Sequence, residues 1–508
     1  MPTNTNYPVR LKTIEPTLFE LSRPGRVGVD LPVCDVPEAD MAELLPGVAL
    51  RADNSLPELS EPEIVRHFTH ISSLNYHVDK GFYPLGSCTM KYNPKINDQA
   101  VNMPGFARIH PYQPEETAQG ALEVLCRMQE NLAAILGMDA VSLHPAAGAH
   151  GELLGLMLIR AYHEHNGQGA RKAILVPSAA HGTNPASAAR CGYKTVSIDT
   201  DERGLVDMAH LKRLLAQHEG DVAGMMLTNP NTLGLFEEDI IEICDWVHAA
   251  GGLMYCDGAN MNALVGTARP GDMGFDVMHV NLHKTFSVPH GGGGPGSGPV
   301  GVKAILLPFL PVPQAYQKAD GTFGLDYDRP LSIGKITTFH GAFLAILRSY
   351  AYIRHYGREK LHEISDNAVL NANYIRVRIG KTFPVAYDKL CMHECVFTLK
   401  DLKKHGVKAL DVAKRIIDYG YHPPTMYFPL LVPECLMIEP TETESIETID
   451  AFIDAIEQIA VEAVENPQII RDAPHTAPVR RLDEALAARN LDISWSPRAQ
   501  LTAAKMED

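Results

Sequence analysis

Short apolar runs alternate with segments of helical period from residue 118 to residue 280, and that alternation restricts this 508-residue chain more than any other feature of it. The runs occupy 173–176, 195–198, 222–227, 253–256 and 277–280, and a helical segment at 240–250 precedes the fourth. Strands separated by helices make βαβ units, and therefore a mostly parallel sheet with helices on both faces. Upstream, Leu122, Leu125, Met128, Leu132, Ile135 and Leu136 fall near the i, i+3, i+4 spacing of an amphipathic helix over 118–136. The pattern recurs over 151–165 after the small-residue turn Ala146-Ala147-Gly148-Ala149, which puts that turn at a helix N-terminus. In such sheets ligands gather at the carboxyl ends of the strands, so those ends are where functional residues are expected.

Around this α/β region the expected divisions are an N-terminal arm over 1–70, a large domain over 71–335, a smaller C-terminal α+β domain over 336–465 and a tail over 466–508. Residues 1–60 are proline-rich and aperiodic, as in an arm lying on another surface. The stretch 302–307 reads as a further strand, and a helix begins near Gly341. The tail carries Pro467, Pro474 and Pro478 before a charged helical piece at 482–488.

Composition excludes several classes of partner. With 61 acidic against 45 basic residues the formal charge is -16, so no overall field draws the chain to nucleic acid or anionic lipid. No apolar stretch reaches the ~20 residues of a membrane span. The first thirty residues contain no apolar run of the signal-peptide kind. Nine scattered cysteines, an odd number without framework spacing, fit a reducing cytoplasm. Cys391-Met-His-Glu-Cys395 lacks a second ligand pair and CxxC spacing, so it reads as buried free thiols and no metal site is expected.

Asp257 directly follows the apolar run 253–256, and Lys284 comes 27 positions later in Val280-Asn-Leu-His-Lys-Thr-Phe286. This order suits pyridoxal phosphate (PLP), which needs an amine to form an imine, a carboxylate to keep its ring nitrogen protonated, and amide donors for its phosphate. Ala147, Gly148 and Ala149 offer unhindered N–H groups at a helix start, where the helix dipole attracts an anion. His283 could donate to the same phosphate, and His181 could stack on the ring. Asn231 and Thr232 could reach the ring substituents. Singly, each has a duller reading, as an N-cap, a structural histidine or a solvated lysine; their order along one βαβ chain joins them.

The glycine-rich stretch 291–301 includes Gly296-x-Gly298-x-x-Gly301, formally a dinucleotide fingerprint. It does not link a strand to a helix, so it reads instead as a moving border of the pocket. Phosphate-binding P-loops, zinc-protease helices and serine-hydrolase elbows are absent from the sequence.

Several motifs resemble the glycine dehydrogenase (decarboxylating) P-protein family of the glycine cleavage system. They are Phe82-Tyr-Pro-Leu-Gly-Ser-Cys-Thr-Met-Lys-Tyr-Asn-Pro94, His144-Pro-Ala-Ala-Gly-Ala-His-Gly-Glu152, Ser178-Ala-Ala-His-Gly-Thr-Asn-Pro185, Asn281-Leu-His-Lys-Thr-Phe286 with its polyglycine sequel, and Met437-Ile-Glu-Pro-Thr-Glu442. The resemblance spans roughly 60–460 and is to the lysine-bearing half of the family, a separate subunit 2 in some organisms. It implies a fold-type I PLP enzyme that decarboxylates glycine and passes an aminomethyl group to the lipoyl arm of H-protein. It further implies a partner subunit 1 in an α2β2 heterotetramer. Ser87, Thr89 and Lys91 become candidates for the glycine carboxylate or the pocket wall, and a capping or solvated role fits each equally. Two other readings remain at this stage. One is a different fold-type I enzyme, such as a cysteine desulfurase, aminotransferase or amino-acid decarboxylase; the other is a non-catalytic scaffold subunit.

Overall fold

A computed structural model of the chain describes residues 15–49, 56–290, 296–491 and 493. Two compact units divide the chain, one of Tyr76–Ile470 and one combining Met1–Asn75 with Arg471–Asp508. In the second unit the helix Glu61–Leu74 starts from a reciprocal Ser60–Glu63 capping box, and the Glu15 carboxylate reaches His67 and His70 on it at 3.1 Å each. The charged piece expected at 482–488 is the helix Glu484–Arg489.

The first unit is built on a seven-stranded sheet. In chain order its elements are α1 (Gln119–Leu136), β1 (Ala140–Ser142), α2 (Gly148–His165), β2 (Ala173–Pro177), α3 (Thr183–Arg190), β3 (Lys194–Ile198), α4 (Met208–Gln217), β4 (Val222–Thr228), α5 (Ile240–Ala249), β5 (Leu253–Gly258), β6 (Val277–Val280) and β7 (Val300–Val302). The strand order is β1-β7-β6-β5-β4-β2-β3, parallel from β6 through β3 and antiparallel where β7 meets β6 and β1. Every residue of β4 and β5 is buried, as a strand covered on both faces requires, whereas only Ile198 of edge strand β3 is fully buried.

The strand expected at 302–307 ends earlier. After β7 the chain coils into a 3₁₀ helix, Ala304–Phe309, that contains Pro308. Lys303 N–H still bonds the Asp276 carbonyl, but Ala304 N–H turns to the Asp139 carboxylate at 2.6 Å, and Pro308 has no N–H to give a ladder. Strand β1 carries no sequence signal because three residues are too few to display a period.

Helix α2 lies directly against the sheet because Gly151 and Gly155 face it. A Cβ at Gly151 would stand 2.6 Å from the Gly298 carbonyl oxygen and 2.8 Å from His279 Cβ; one at Gly155 would stand 2.2 Å from the Tyr255 ring. With no side-chain layer between them, the helix N-terminus reaches the carboxyl ends of β5 and β6.

Past the hairpin β8 (Gln314–Gln317) and β9 (Phe323–Asp326), helix α6 (Phe343–Lys360) starts where expected, near Gly341, and α7 (His362–Ile379) follows. A three-stranded antiparallel sheet, β10 (Cys395–Thr398), β12 (Cys435–Ile438) and β11 (Thr425–Met426) in spatial order, packs on α7 and α8 (Ile446–Glu465) through Phe397, Ile438, Ile453 and Phe452. Leu85 bridges Ile438, and Phe82 joins the same core, so the 82–91 segment runs along this small sheet. No helix among the described residues is long and apolar enough to cross a membrane.

Substituting Gly151→Ala forces a methyl against a backbone carbonyl and a buried Cβ, neither able to yield. Its expected cost is about 1–3 kcal/mol, read as a lower midpoint of urea-induced unfolding.

Candidate active site

The carboxyl ends of β2, β4, β5 and β6 converge, and the loops after them carry the residues singled out above. At the end of β5, Asp257 is buried, accepts three hydrogen bonds and has a second histidine close by. Oδ2 takes His181 Nδ1–H at 2.9 Å and Asn184 Nδ2–H at 3.0 Å; Oδ1 takes Ala259 N–H at 2.9 Å and lies 3.4 Å from His279 Nε2. Burial alone would raise this carboxyl, but the His181 and His279 rings and the hydrogen bonds outweigh it and hold it far below its ordinary range. Asp257 therefore stays ionised inside the protein.

With Nδ1 on Asp257, the His181 ring turns Nε2 to the Ser87 hydroxyl, 2.8 Å away. The Ser87 carbonyl in turn accepts from Lys284 Nζ at 3.0 Å. Lys284, Ser87, His181 and Asp257 thus form one hydrogen-bonded line, and the lysine and the aspartate share a site. Ser87 holds this position with φ = 62°, a left-handed conformation unusual for a residue with a side chain.

At the start of α2, the N-cap Ala147 supplies no side-chain cap, so the first N–H groups, at Gly148 and Ala149, have no such partner. Beside this turn stands His283: a Cβ on Gly296 would lie 3.3 Å from His283 Nδ1 and 3.4 Å from the Ala146 carbonyl oxygen. Burial, with help from His290 and Lys284, holds the His283 ring down at about 4, so it is neutral at pH 7. Its Nε2 accepts weakly from Asn281 Nδ2 at 3.4 Å, and apart from the backbone of Ser297 beside the ring, its buried Nδ1 makes no well-formed hydrogen bond among the described residues. An uncapped helix start beside an imidazole N–H without a well-formed hydrogen bond fits a phosphate. A buried, ionised carboxylate fits a ring nitrogen, and a lysine amine on the same line fits an aldehyde. The residues present therefore suit PLP.

Four other expected residues sit differently. Asn231 spends its side chain on its own turn, donating to Gly204 O and accepting from Leu233 and Leu235 N–H; Thr232 donates to Ala179 O at 2.5 Å. Both build the wall behind the site. Thr89 donates to buried Glu439, and Lys91 is fully occupied by Glu442 (2.7 Å), Asn262 (2.7 Å) and Tyr352 (3.2 Å), which leaves no donor for a substrate carboxylate. Conversely, sequence reasoning passed over His279 and Asn184. A histidine inside the buried run 277–280 was a usable signal, since a buried polar side chain needs a partner. Residues 291–295 of the glycine-rich border lie outside the described residues; 296–299 lead into β7, not a helix.

Comparison with known proteins agrees with this geometry. The glycine cleavage system P-protein family matches residues 39–311, and the C-terminal domain of glycine dehydrogenase matches 364–476. A probable glycine dehydrogenase (decarboxylating) subunit 2 from Caldanaerobacter subterraneus subsp. tengcongensis is 57% identical over 96% of this chain and 100% of its own length. This chain belongs to the glycine cleavage system P-protein family. A second P-protein relative carrying the same description, from Desulforamulus reducens, is 56% identical over 95% of this chain and 99% of its own. Among solved structures, an inhibitor-bound glycine decarboxylase (P-protein) superposes with TM-score 0.69 over 83% of this chain and 95% of its own at 21% identity. An apo cysteine desulfurase from Thermococcus onnurineus NA1 gives 0.58 over 75% of this chain and 95% of its own at 15% identity. The P-protein fold is thus shared with other fold-type I enzymes.

Removing the charge of buried Asp257 has a defined pH signature. Asp257→Asn is expected to cost about 3 kcal/mol of stability at pH 7. The folded carboxyl titrates below its usual 3.8, so its contribution is complete above that value and is lost only as pH falls beneath it. Unfolding curves for the pair should therefore differ equally at pH 7 and pH 5 and converge below pH 4.

Proposed function

We propose that this chain is the PLP-bearing subunit 2 of a two-subunit glycine dehydrogenase (decarboxylating), acting in the cytoplasm with subunit 1 in an α2β2 assembly and with lipoylated H-protein as second substrate. The observation that carries the reading is the hydrogen-bonded line from Lys284 through Ser87 and His181 to Asp257, beside an uncapped helix start. Relatives of full matching length described as subunit 2 support the division of labour.

In this reading Gly148 and Ala149 N–H and His283 Nδ1–H hold the phosphate, with Ala147 leaving the helix start open. Asp257, ionised by its imidazole neighbours, faces the ring nitrogen. His181 is held edgewise by Asp257 and Ser87, so its ring plane is fixed for stacking. Lys284 is oriented by the Ser87 carbonyl and carries the amine that glycine displaces. When bound, PLP supplies the electron sink that lets glycine lose carbon dioxide. The arm over 1–70 and the tail over 466–508 are the segments we assign to subunit contacts, the domain over 71–335 to the cofactor and that over 336–465 to closing the pocket. Water kept out by that closure cannot protonate the glycine carbon before the lipoyl disulfide meets it. Binding by other fold-type I chemistries, desulfuration included, shares the fold but not the flanking motifs.

The purified chain should carry the visible absorbance of lysine-bound cofactor, and Lys284→Ala should lose it. Exchange of labelled carbon dioxide with the glycine carboxyl, measured with H-protein and with or without subunit 1, should fall by about 100-fold or more in Asp257→Asn while the cofactor is retained. An unchanged spectrum in Lys284→Ala, or exchange with an amino acid other than glycine in preference to it, contradicts the assignment.

A further inference from the structure

Two motifs not used above meet under the same pocket. His393 and Glu394 come from the cysteine-flanked stretch before β10, and Glu439 from the segment after β12; all three are wholly buried. Ser87 N–H donates to Glu394 Oε2 at 2.7 Å, and Thr89 Oγ1–H donates to Glu439 Oε1. The other oxygen of each carboxyl, and both ring nitrogens of His393, have no hydrogen-bond partner among the described residues.

A metal does not suit this cluster. His393 Nε2 stands 4.0 Å from both carboxyls, against about 3.4 Å between neighbouring ligands around tetrahedral zinc. The oxygens nearest it are already engaged by Ser87 and Thr89. Charge balance points to a proton instead. Lys284 acts on both Glu394 and Glu439, and Lys91, ion-paired with Glu442, acts on Glu439 as well, so three carboxyls share two cations. Three such buried carboxylates facing two cations cannot all stay ionised.

Resting on the function proposed above, we propose that Glu394 and Glu439 share a proton and form the acid–base pair for aminomethyl transfer, taking a proton from the glycine ammonium and returning it to the lipoyl sulfur. The balance closes without another reactant. The glycine C–C bond breaks, and its electron pair forms a C–S bond to one lipoyl sulfur. The S–S bond breaks, and its pair passes to the second sulfur, which takes the stored proton. The glycine carbon is oxidised by two electrons, the disulfide is reduced by two, and carbon dioxide leaves. The ammonium's lost proton is the thiol's gained one, and the pair ends as it began.

The electrostatics agree. Burial, opposed by Thr89, Lys284 and Lys91, pushes Glu439 up to about 7; burial and the Glu439 charge push Glu394 well above the carboxylate range. Burial with the Lys284 and His181 charges holds His393 down at about 3, so it adds no cation. The remaining groups facing the pair are Glu442, Cys88, Cys391, Cys395 and Cys435, and burial raises the Cys88, Cys395 and Cys435 thiols, leaving them neutral. The pair reaches Lys284 through one residue, Ser87, whose N–H is on Glu394 and whose carbonyl is on the amine.

Infrared titration of the full-length chain without cofactor should show protonated-carboxyl C=O absorption persisting at pH 7 and reduced in the Glu394→Gln/Glu439→Gln double variant, with Glu237 and Glu444, which burial also raises to about 7, supplying the remainder. Absence of that absorption in the wild type, or an undiminished band in the double variant, overturns the proposal. In the complex with subunit 1 and lipoylated H-protein, Glu439→Gln should lower kcat for aminomethyl transfer about 100-fold. Its glycine KM should stay within about twofold of wild type, and Glu439→Asp should recover part of the rate. Folded Gln variants with the wild-type rate and pH profile also overturn it. A wild-type complex that releases no labelled carbon dioxide from glycine refutes the function proposed above instead, and the infrared result distinguishes the two because it needs no substrate.

Discussion

Ser87 is the residue on which the site depends. Its three polar groups face three different parts of the chain: the N–H meets Glu394 from the small-sheet region, the hydroxyl meets His181 after β2, and the carbonyl meets Lys284 after β6. No ordinary extended or helical backbone points these groups in such directions, which explains φ = 62° at a position with a Cβ. The conformation costs on the order of 1 kcal/mol, and three hydrogen bonds to ionisable partners offset it. Take any one away and the serine has reason to relax, moving the other two. Local strain and site geometry are therefore the same fact.

Around that serine the protein holds acids in opposite states. Asp257 lies among imidazoles and amide donors and is kept ionised; Glu394 and Glu439 lie against each other and are kept protonated in part. All three are nearly or wholly inaccessible to solvent, so burial does not explain the difference. Neighbours do. One carboxylate has two histidines to itself, while the other two repel each other across the charge of Lys284. Separating acids in this way lets a single cavity hold a permanent negative charge at one end and a movable proton at the other.

The sequence makes the strands readable where they are buried on both faces, because continuous apolar runs such as 222–227 and 253–256 leave no competing interpretation. Asp257 and Lys284 are readable for a related reason: each stands just after such a run, and strand ends on one edge of a parallel sheet must be neighbours. The reading weakens wherever a role depends on a turn. Asn231 looks like a ligand because it is polar and follows β4, yet its side chain closes its own loop. Ser87 looks like one of three equal hydroxyl or ammonium candidates, since a positive φ leaves no mark on composition. Glu394 and Glu439 lie 45 positions apart, just before and just after two paired strands of a small sheet, and only the register Cys395 with Ile438 makes them adjacent.

Lys91 clarifies how those distant pieces keep their positions. Its ammonium joins Glu442 to Tyr352 of α6 and Asn262 after β5, with every partner within 3.2 Å. Burial pulls the ammonium down and the Glu442 carboxylate opposes it, so the pair survives only as a pair. Four residues before Lys91 stands Ser87, and three before Glu442 stands Glu439. A tie that close in sequence to both leaves little slack, so the same ion pair that fastens the small sheet to the large one sets how Ser87 meets Lys284 and how Glu439 meets Glu394. Lys91 therefore matters to the site without touching what binds there, through the backbone it anchors.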